Sequence, residues 1–179
     1  MRNWMILVIG AAAIGSLLAQ TKPTAPRPAT APAASKTTAA AAKQTAAAQQ
    51  APSKDEQAIF DQANRERAAR QLPALKWNTG LAGAARAHAR KMAQAGAISH
   101  QFPGEPDMGM RIRAAGVRFT AAAENVAQGP GAEFIHRQWM NSPSHRDNIL
   151  DPELDSLGVA IVERQETLFA VQDFARASQ

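Results

Sequence analysis

The chain of 179 residues contains no cysteine and no tyrosine, and only 5% of it is aromatic. Without cysteine there can be no disulfide, no cysteine–zinc site and no thiol nucleophile. Whatever folds must hold by packing and hydrogen bonding alone. Residues 1–54 also lack any acidic side chain, while carrying Arg2, Lys22, Arg27, Lys36, Lys43 and Lys54. The remaining residues hold fourteen basic and fifteen acidic side chains, so the formal net charge of +5 belongs to the N-terminal tail. Nucleic-acid interfaces are markedly positive, and no nucleic-acid role is expected for the folded part. The basic tail is suited to loose, salt-sensitive adhesion to anionic polymer or lipid head groups.

A spanning helix needs roughly twenty apolar residues in a row, and the apolar run from Trp4 to Ala19 is shorter. One basic residue ahead of it and Ala19 at its end give the pattern of a secretory signal peptide over residues 1–19. The alternative is an uncleaved membrane anchor. The expected location is secreted or periplasmic, with membrane tethering if the segment is retained. Residues 20–54 are almost entirely Ala, Pro, Thr, Gln, Ser and Lys. Scattered prolines block regular helix, and few bulky apolar groups are present to offset ordering entropy. This stretch is read as a disordered linker that spaces the domain from a membrane or wall.

The domain is expected over residues 55–179. Ile59, Phe60, Ala63 and Ala68 outline a first helix, with Asp55 and Glu56 in its first turn and Pro73 beyond its end. Leu72, Leu75 and Trp77 form an apolar turn. A second helix runs from Thr79, which suits an N-cap, to Gly96, which suits a C-cap. Its apolar face carries Leu81, Ala84, Ala85, His88, Ala89 and Met92, with Arg86 off that face. His88 is therefore expected to pack and to hydrogen-bond backbone, whereas His136 is expected to be partly exposed. A short helix covers about Met108–Ala115, a strand Glu124–Gln128, and a further helix Ala132 to about Met140. Ser142 or Ser144 suits the N-cap of a turn of helix at His145–Leu150. Two strands, Leu157–Val162 and Leu168–Phe174, make a hairpin turning at Arg164–Glu166. Helices followed by a small sheet imply a layered α+β domain.

The residues Leu72-Pro73-x-Leu75-x-Trp77, His88-Ala89-x-x-Met92, Ser99-His100, Arg111-Ile112, Glu124-Asn125-Val126-Ala127, Ser142-Pro143-x-His145-Arg146-x-Asn148-Ile149-Leu150, Leu157-Gly158-Val159 and Gln172-Asp173-Phe174 resemble the CAP superfamily. Within it they are most similar to bacterial secreted proteins with a sperm-coating-protein (SCP) domain. The resemblance implies a three-layer α-β-α sandwich around a small antiparallel sheet. It also implies a cavity of two histidines and two glutamates that in some members holds a divalent metal. His100, Glu124 and His145 match three of the four, and Ser142 stands where the second glutamate belongs. Glu105, Asp107 and Asp147 are the nearby acids that could take its place.

Two readings of these groups stay open. In the first, Glu124, Asn125, His100 and His145 form a buried polar network lining a ligand cleft, with no chemistry attached. The ligand could be lipid, glycan or peptide, and the chain is expected to act as a monomer. In the second, His100 and His145 bind zinc with Glu124 as ligand or base, giving a metal-assisted hydrolase, with a peptidase as one form of it. The catalytic residues of such an enzyme are not defined by the sequence. A serine hydrolase is disfavoured because no Gly-x-Ser-x-Gly elbow is present.

Overall fold

The computed structural model describes residues 51–178. The signal-peptide segment and nearly all of the proposed linker lie outside the described residues. Helix α1 (Lys54–Ala68) is set by a capping box. Ser53 Oγ accepts from the Glu56 N–H at 3.2 Å, and Glu56 Oε2 accepts from the Ser53 N–H at 2.8 Å. The helix ends well before Pro73, and Ala68 is exposed rather than on the core face. The apolar turn that follows contains a short strand, β1 (Lys76–Trp77), which pairs parallel with Ser156 and Leu157. Two residues are too short to leave a periodic signal.

Helix α2 (Thr79–Ala95) takes Asn78, not Thr79, as its N-cap, with Oδ1 accepting from the Leu81 N–H. Gly96 ends it at φ 66°, the left-handed conformation that favours glycine. Helix α3 (Met108–Ala114) is capped by Asp107, which occupies one of the acids considered above. Strand β2 (Phe119–Gly129) is longer than its sequence suggests. Ala121, Ala122 and Ala123 have little strand preference of their own, and pairing with Phe174–Arg176 extends it. Helices α4 (Ala132–Asn141) and α5 (Pro143–Leu150) share Ser142 as the residue between them. Strands β3 (Ser156–Arg164) and β4 (Thr167–Ala177) turn through Gln165 and Glu166, both at positive φ. That is the twist-matched geometry of a two-residue hairpin.

The sheet order is β1-β3-β4-β2, antiparallel except for β1. Alternation along β4 sends Leu168, Ala170 and Phe174 to a core shared with α1, α4 and α5. Phe169 and Val171 face α2, and Ala175 joins Leu81 and Ile112 near α3. Helices thus cover both faces, giving an α-β-α sandwich. Side chains meet unpaired backbone groups on the outer sides of β3 and β2, one device that blunts strand edges. On β3, Glu56 Oε1 accepts from the Ile161 N–H at 3.2 Å and from Arg86 at 2.9 Å. Arg86 is consequently buried, against the expectation from its helical position, because an acid reaches it from another element. On β2, the Trp139 indole donates to the Val126 carbonyl at 3.3 Å.

His136 departs from expectation. It is 5% exposed, and neither ring nitrogen has a hydrogen-bond partner. Its position on α4 turns it inward among groups that include Glu66 and Arg65 of α1, which a one-helix reading cannot show. Burial lowers its pKa, with Glu66 opposing and Arg65 assisting. A folded-state pKa below the unfolded value of about 6.5 means the unfolded chain binds more protons below that pH. Stability should therefore fall as pH drops below about 6.5, and His136→Met should reduce that slope. Urea denaturation of both proteins at neutral and mildly acidic pH would test this. Equal slopes would refute it.

Candidate functional site

Successive residues of a strand point to opposite faces, and at edge strand β2 this divides the Glu124-Asn125 pair. Glu124 turns toward the α2–α3 layer. One oxygen accepts from His100 Nδ1 at 2.9 Å, and the other accepts from the Arg111 guanidinium. Arg111 also donates to the carbonyls of His100 (3.2 Å) and Pro106 (3.1 Å). A buried α3 cation thus fixes both the acid and the loop that carries His100. In the neutral ring, Nδ1–H committed to the carboxylate leaves Nε2 of His100 as an acceptor. The His100 side chain is 62% exposed.

Asn125 turns toward the α4–α5 layer. Its amide donates to the His145 carbonyl and to Gln172 Oε1, both at 3.0 Å, and its oxygen accepts from Asn148 at 2.8 Å. This fully buried amide holds the start of α5 against the sheet. Ser142 is the N-cap by position but makes no capping bond. Its hydroxyl lies 2.9 Å from His145 Nδ1 instead. Burial, and secondly the neighbouring His100, hold the His145 pKa below the usual histidine value. The two histidines therefore come together around the β2 edge, each oriented through its Nδ1.

The candidate acids go elsewhere. Glu105 faces His88, Asp107 caps α3, and Asp147 is exposed. The acid beside Glu124 is Asp173, directly across the ladder. It is 0% exposed, and neither oxygen has a partner at hydrogen-bonding geometry. Burial first, then the Glu124 carboxylate, push its carboxyl well above the usual range, against an opposing pull from Arg111. Its surroundings therefore disfavour the ionised form of Asp173. Among the described residues, no three or more His, Cys, Asp or Glu side chains are grouped to hold a metal ion. Glu124 has one oxygen on Arg111 and the other on His100. The donor set as folded does not suit the catalytic three-ligand zinc site considered from sequence. Two hollows of about 370 and 330 Å³ lie along β3, lined in part by Arg90 and Val162.

Arg111, Asp173 and Gln172 stand out only in the folded protein. Their sequence signal was membership of short motifs, Arg111-Ile112 and Gln172-Asp173-Phe174, with a charged or amide group set in an apolar context. The profile of the CAP family, described as the cysteine-rich secretory protein family, matches residues 60–174. The chain belongs to the CAP family. This CAP domain is 35% identical over 112 residues to the uncharacterized protein YkwD of Bacillus subtilis, covering 60% of this chain and 42% of that protein. It is 29% identical over 116 residues to the uncharacterized membrane protein YlbC of the same organism, covering 63% of this chain and 33% of that protein. The chain thus spans less than half the length of these curated relatives.

Among solved structures, an extracellular protein containing an SCP domain from Bacillus anthracis is 32% identical with a TM-score of 0.64. The match covers 68% of this chain and 40% of that one. An outer surface protein of Borrelia burgdorferi shares the fold at 21% identity and a TM-score of 0.65, covering 69% of this chain and 93% of its own. CAP neighbours thus include extracellular and outer-surface proteins. Among the described residues, no helix of this CAP domain is long and apolar enough to cross a membrane.

Proposed function

We propose that the protein is an exported CAP/SCP module that binds a ligand of the cell envelope at its two-histidine face and does no chemistry on it. One observation carries this reading: both oxygens of Glu124 are engaged, by Arg111 and by His100. A carboxylate gripped on both oxygens by a buried guanidinium and a ring N–H is built to hold its neighbours in place, and among the described residues no third ligating side chain joins it. Glu124 serves as an anchor. Ser142, at the place of the second acid, bonds the ring of His145 rather than supplying a charge. What reaches outward is a polar face of imidazole and hydroxyl groups, suited to a ligand rich in hydroxyl or amide groups, as a glycan or peptide is. The apolar segment at residues 4–19 would direct export, and the basic linker up to residue 54 would hold the domain, as a monomer, near an anionic surface.

The test is sedimentation of the purified chain with envelope fractions, separated into wall glycan and membrane vesicles. Retention by one fraction should be lost in His100→Ala and in His145→Ala, and added zinc should leave retention unchanged. Stoichiometric zinc uptake abolished by both substitutions, accompanied by peptide hydrolysis, would instead establish the metal-assisted hydrolase.

A further inference from the structure

One buried charged pair takes no part in that face. The His88 ring is inaccessible, and the Glu105 side chain is nearly so. His88 Nε2 lies 2.7 Å from the Ser99 carbonyl oxygen, and Nδ1 lies 3.0 Å from Glu105 Oε1. A carbonyl oxygen can only accept, so Nε2 carries a hydrogen. In a neutral ring Nδ1 would then aim a bare lone pair at a carboxylate oxygen, two acceptors facing each other where burial makes the mismatch costly. The pair is satisfied only when it holds one proton more than neutral imidazole plus carboxylate.

The surroundings place that proton on His88. The Phe102 N–H donates to Glu105 Oε2 at 3.1 Å, and Lys91 Nζ lies 3.6 Å from Oε1. The charged groups facing the pair are thus Lys91 of α2 and Arg111 of α3, both cations that favour an ionised Glu105. Burial raises the Glu105 pKa, but the contacts with His88, the Phe102 N–H and Arg111 outweigh it and the net direction is down.

The pair grips both sides of His100. Nε2 holds Ser99, just before it. Glu105 holds Phe102 through its side chain, and its carbonyl accepts from Gln101 Nε2 at 2.7 Å. We propose that His88 and Glu105 form a proton-bearing latch that positions the His100 loop. The functional consequence rests on the reading that His100 belongs to the ligand-binding face.

The experiment is nuclear magnetic resonance of the labelled full chain at neutral pH, following the His88 ring nitrogens, the Glu105 carboxyl carbon and the loop amides. Both His88 nitrogens should carry hydrogen opposite an ionised Glu105. Glu105→Ala removes the partner of Nδ1 and the acceptor of the Phe102 N–H, so the Phe102 amide should exchange about tenfold or more faster and the His100 ring signals should shift. Glu105→Gln can turn its amide N–H to Nδ1 and its oxygen to Phe102, so the latch should close around a neutral His88 and the Phe102 amide should stay protected. A neutral His88 opposite an ionised Glu105 in the unmodified protein would overturn the proposal. So would a protonated Glu105, or loop amides and His100 signals unchanged in Glu105→Ala. If the latch behaves as stated while His100→Ala keeps full envelope retention, the binding-face reading fails and the latch stands.

Discussion

Gly158→Ala should destabilise the domain by more than about 3 kcal/mol, a large share of the roughly 5–15 kcal/mol that a typical domain has. A Cβ at residue 158 would lie 2.1 Å from Ala82 N, 2.3 Å from the Leu81 carbonyl carbon and 2.6 Å from Leu81 Cβ. Two of these are backbone atoms in the first turn of α2, where the Ala82 N–H is bonded to the Asn78 carbonyl. They cannot turn aside as a flexible side chain would. The helix must lift from the sheet by about 1 Å to restore ordinary contact. That movement would loosen Leu81, Ala85, Ala89 and Met92, all buried between α2 and its neighbours. Urea denaturation would show the loss as a lower midpoint. Gly131→Ala, where an added Cβ meets nothing within 4 Å, is the control and should cost at most about 1 kcal/mol. A midpoint for Gly158→Ala no lower than the control's would refute the close approach.

Arg67→Ala should cost on the order of 3–5 kcal/mol. The Arg67 side chain is buried, with the residue 1% exposed, and it has no carboxylate in hydrogen-bonding contact. Its guanidinium donates to four backbone carbonyls: Pro73 at 2.8 Å, Ile149 at 3.0 Å, Asp151 at 2.8 Å and Leu154 at 3.1 Å. One planar fork therefore ties the exit of α1 to the end of α5 and the approach to β3. Truncation would leave these carbonyls short of a donor and open a void where the side chain packs. Arg67→Lys should recover only part of the loss, because a single ammonium cannot reach four acceptors spread around a planar group. Denaturation midpoints ordered unmodified, Lys, then Ala would support the account. A lysine variant as stable as the unmodified chain would show that charge alone suffices.

Both sites carry a lesson about legibility. Gly158 is visible in the chain within the Leu157-Gly158-Val159 motif and Arg67 beside the apolar positions of the first helix, yet nothing near them in sequence says what they touch. The contacts of Arg67 lie up to 87 residues away. His88 was readable as a packed histidine because its neighbours at helical spacing are small or apolar. Its partner Glu105 was not, since it sits in a Pro/Gly-rich loop without periodicity. His136 was misread for the same reason, as burial against a second helix leaves no mark on the first. Glu105, Asp107 and Asp147 were sensible substitutes for the absent acid by proximity in sequence. Strand pairing selected Asp173 instead, 49 positions beyond Glu124 in the chain but adjacent to it across the ladder.

The amino-acid pattern by itself determined the CAP family, the order of the helices and the three longer strands, the α+β layering, and the choice of His100, Glu124 and His145 as candidates. These depend on local periodicity, caps, turns and ordered motifs, all written within a few residues of where they act. Only the tertiary structure decided that Glu124 is held by Arg111 and His100, that Ser142 bonds His145, and that Asp173 lies buried beside Glu124. The availability of a carboxylate depends on how many of its lone pairs other groups have taken, and on how far water is excluded. Both are properties of neighbours that the chain brings together only by folding.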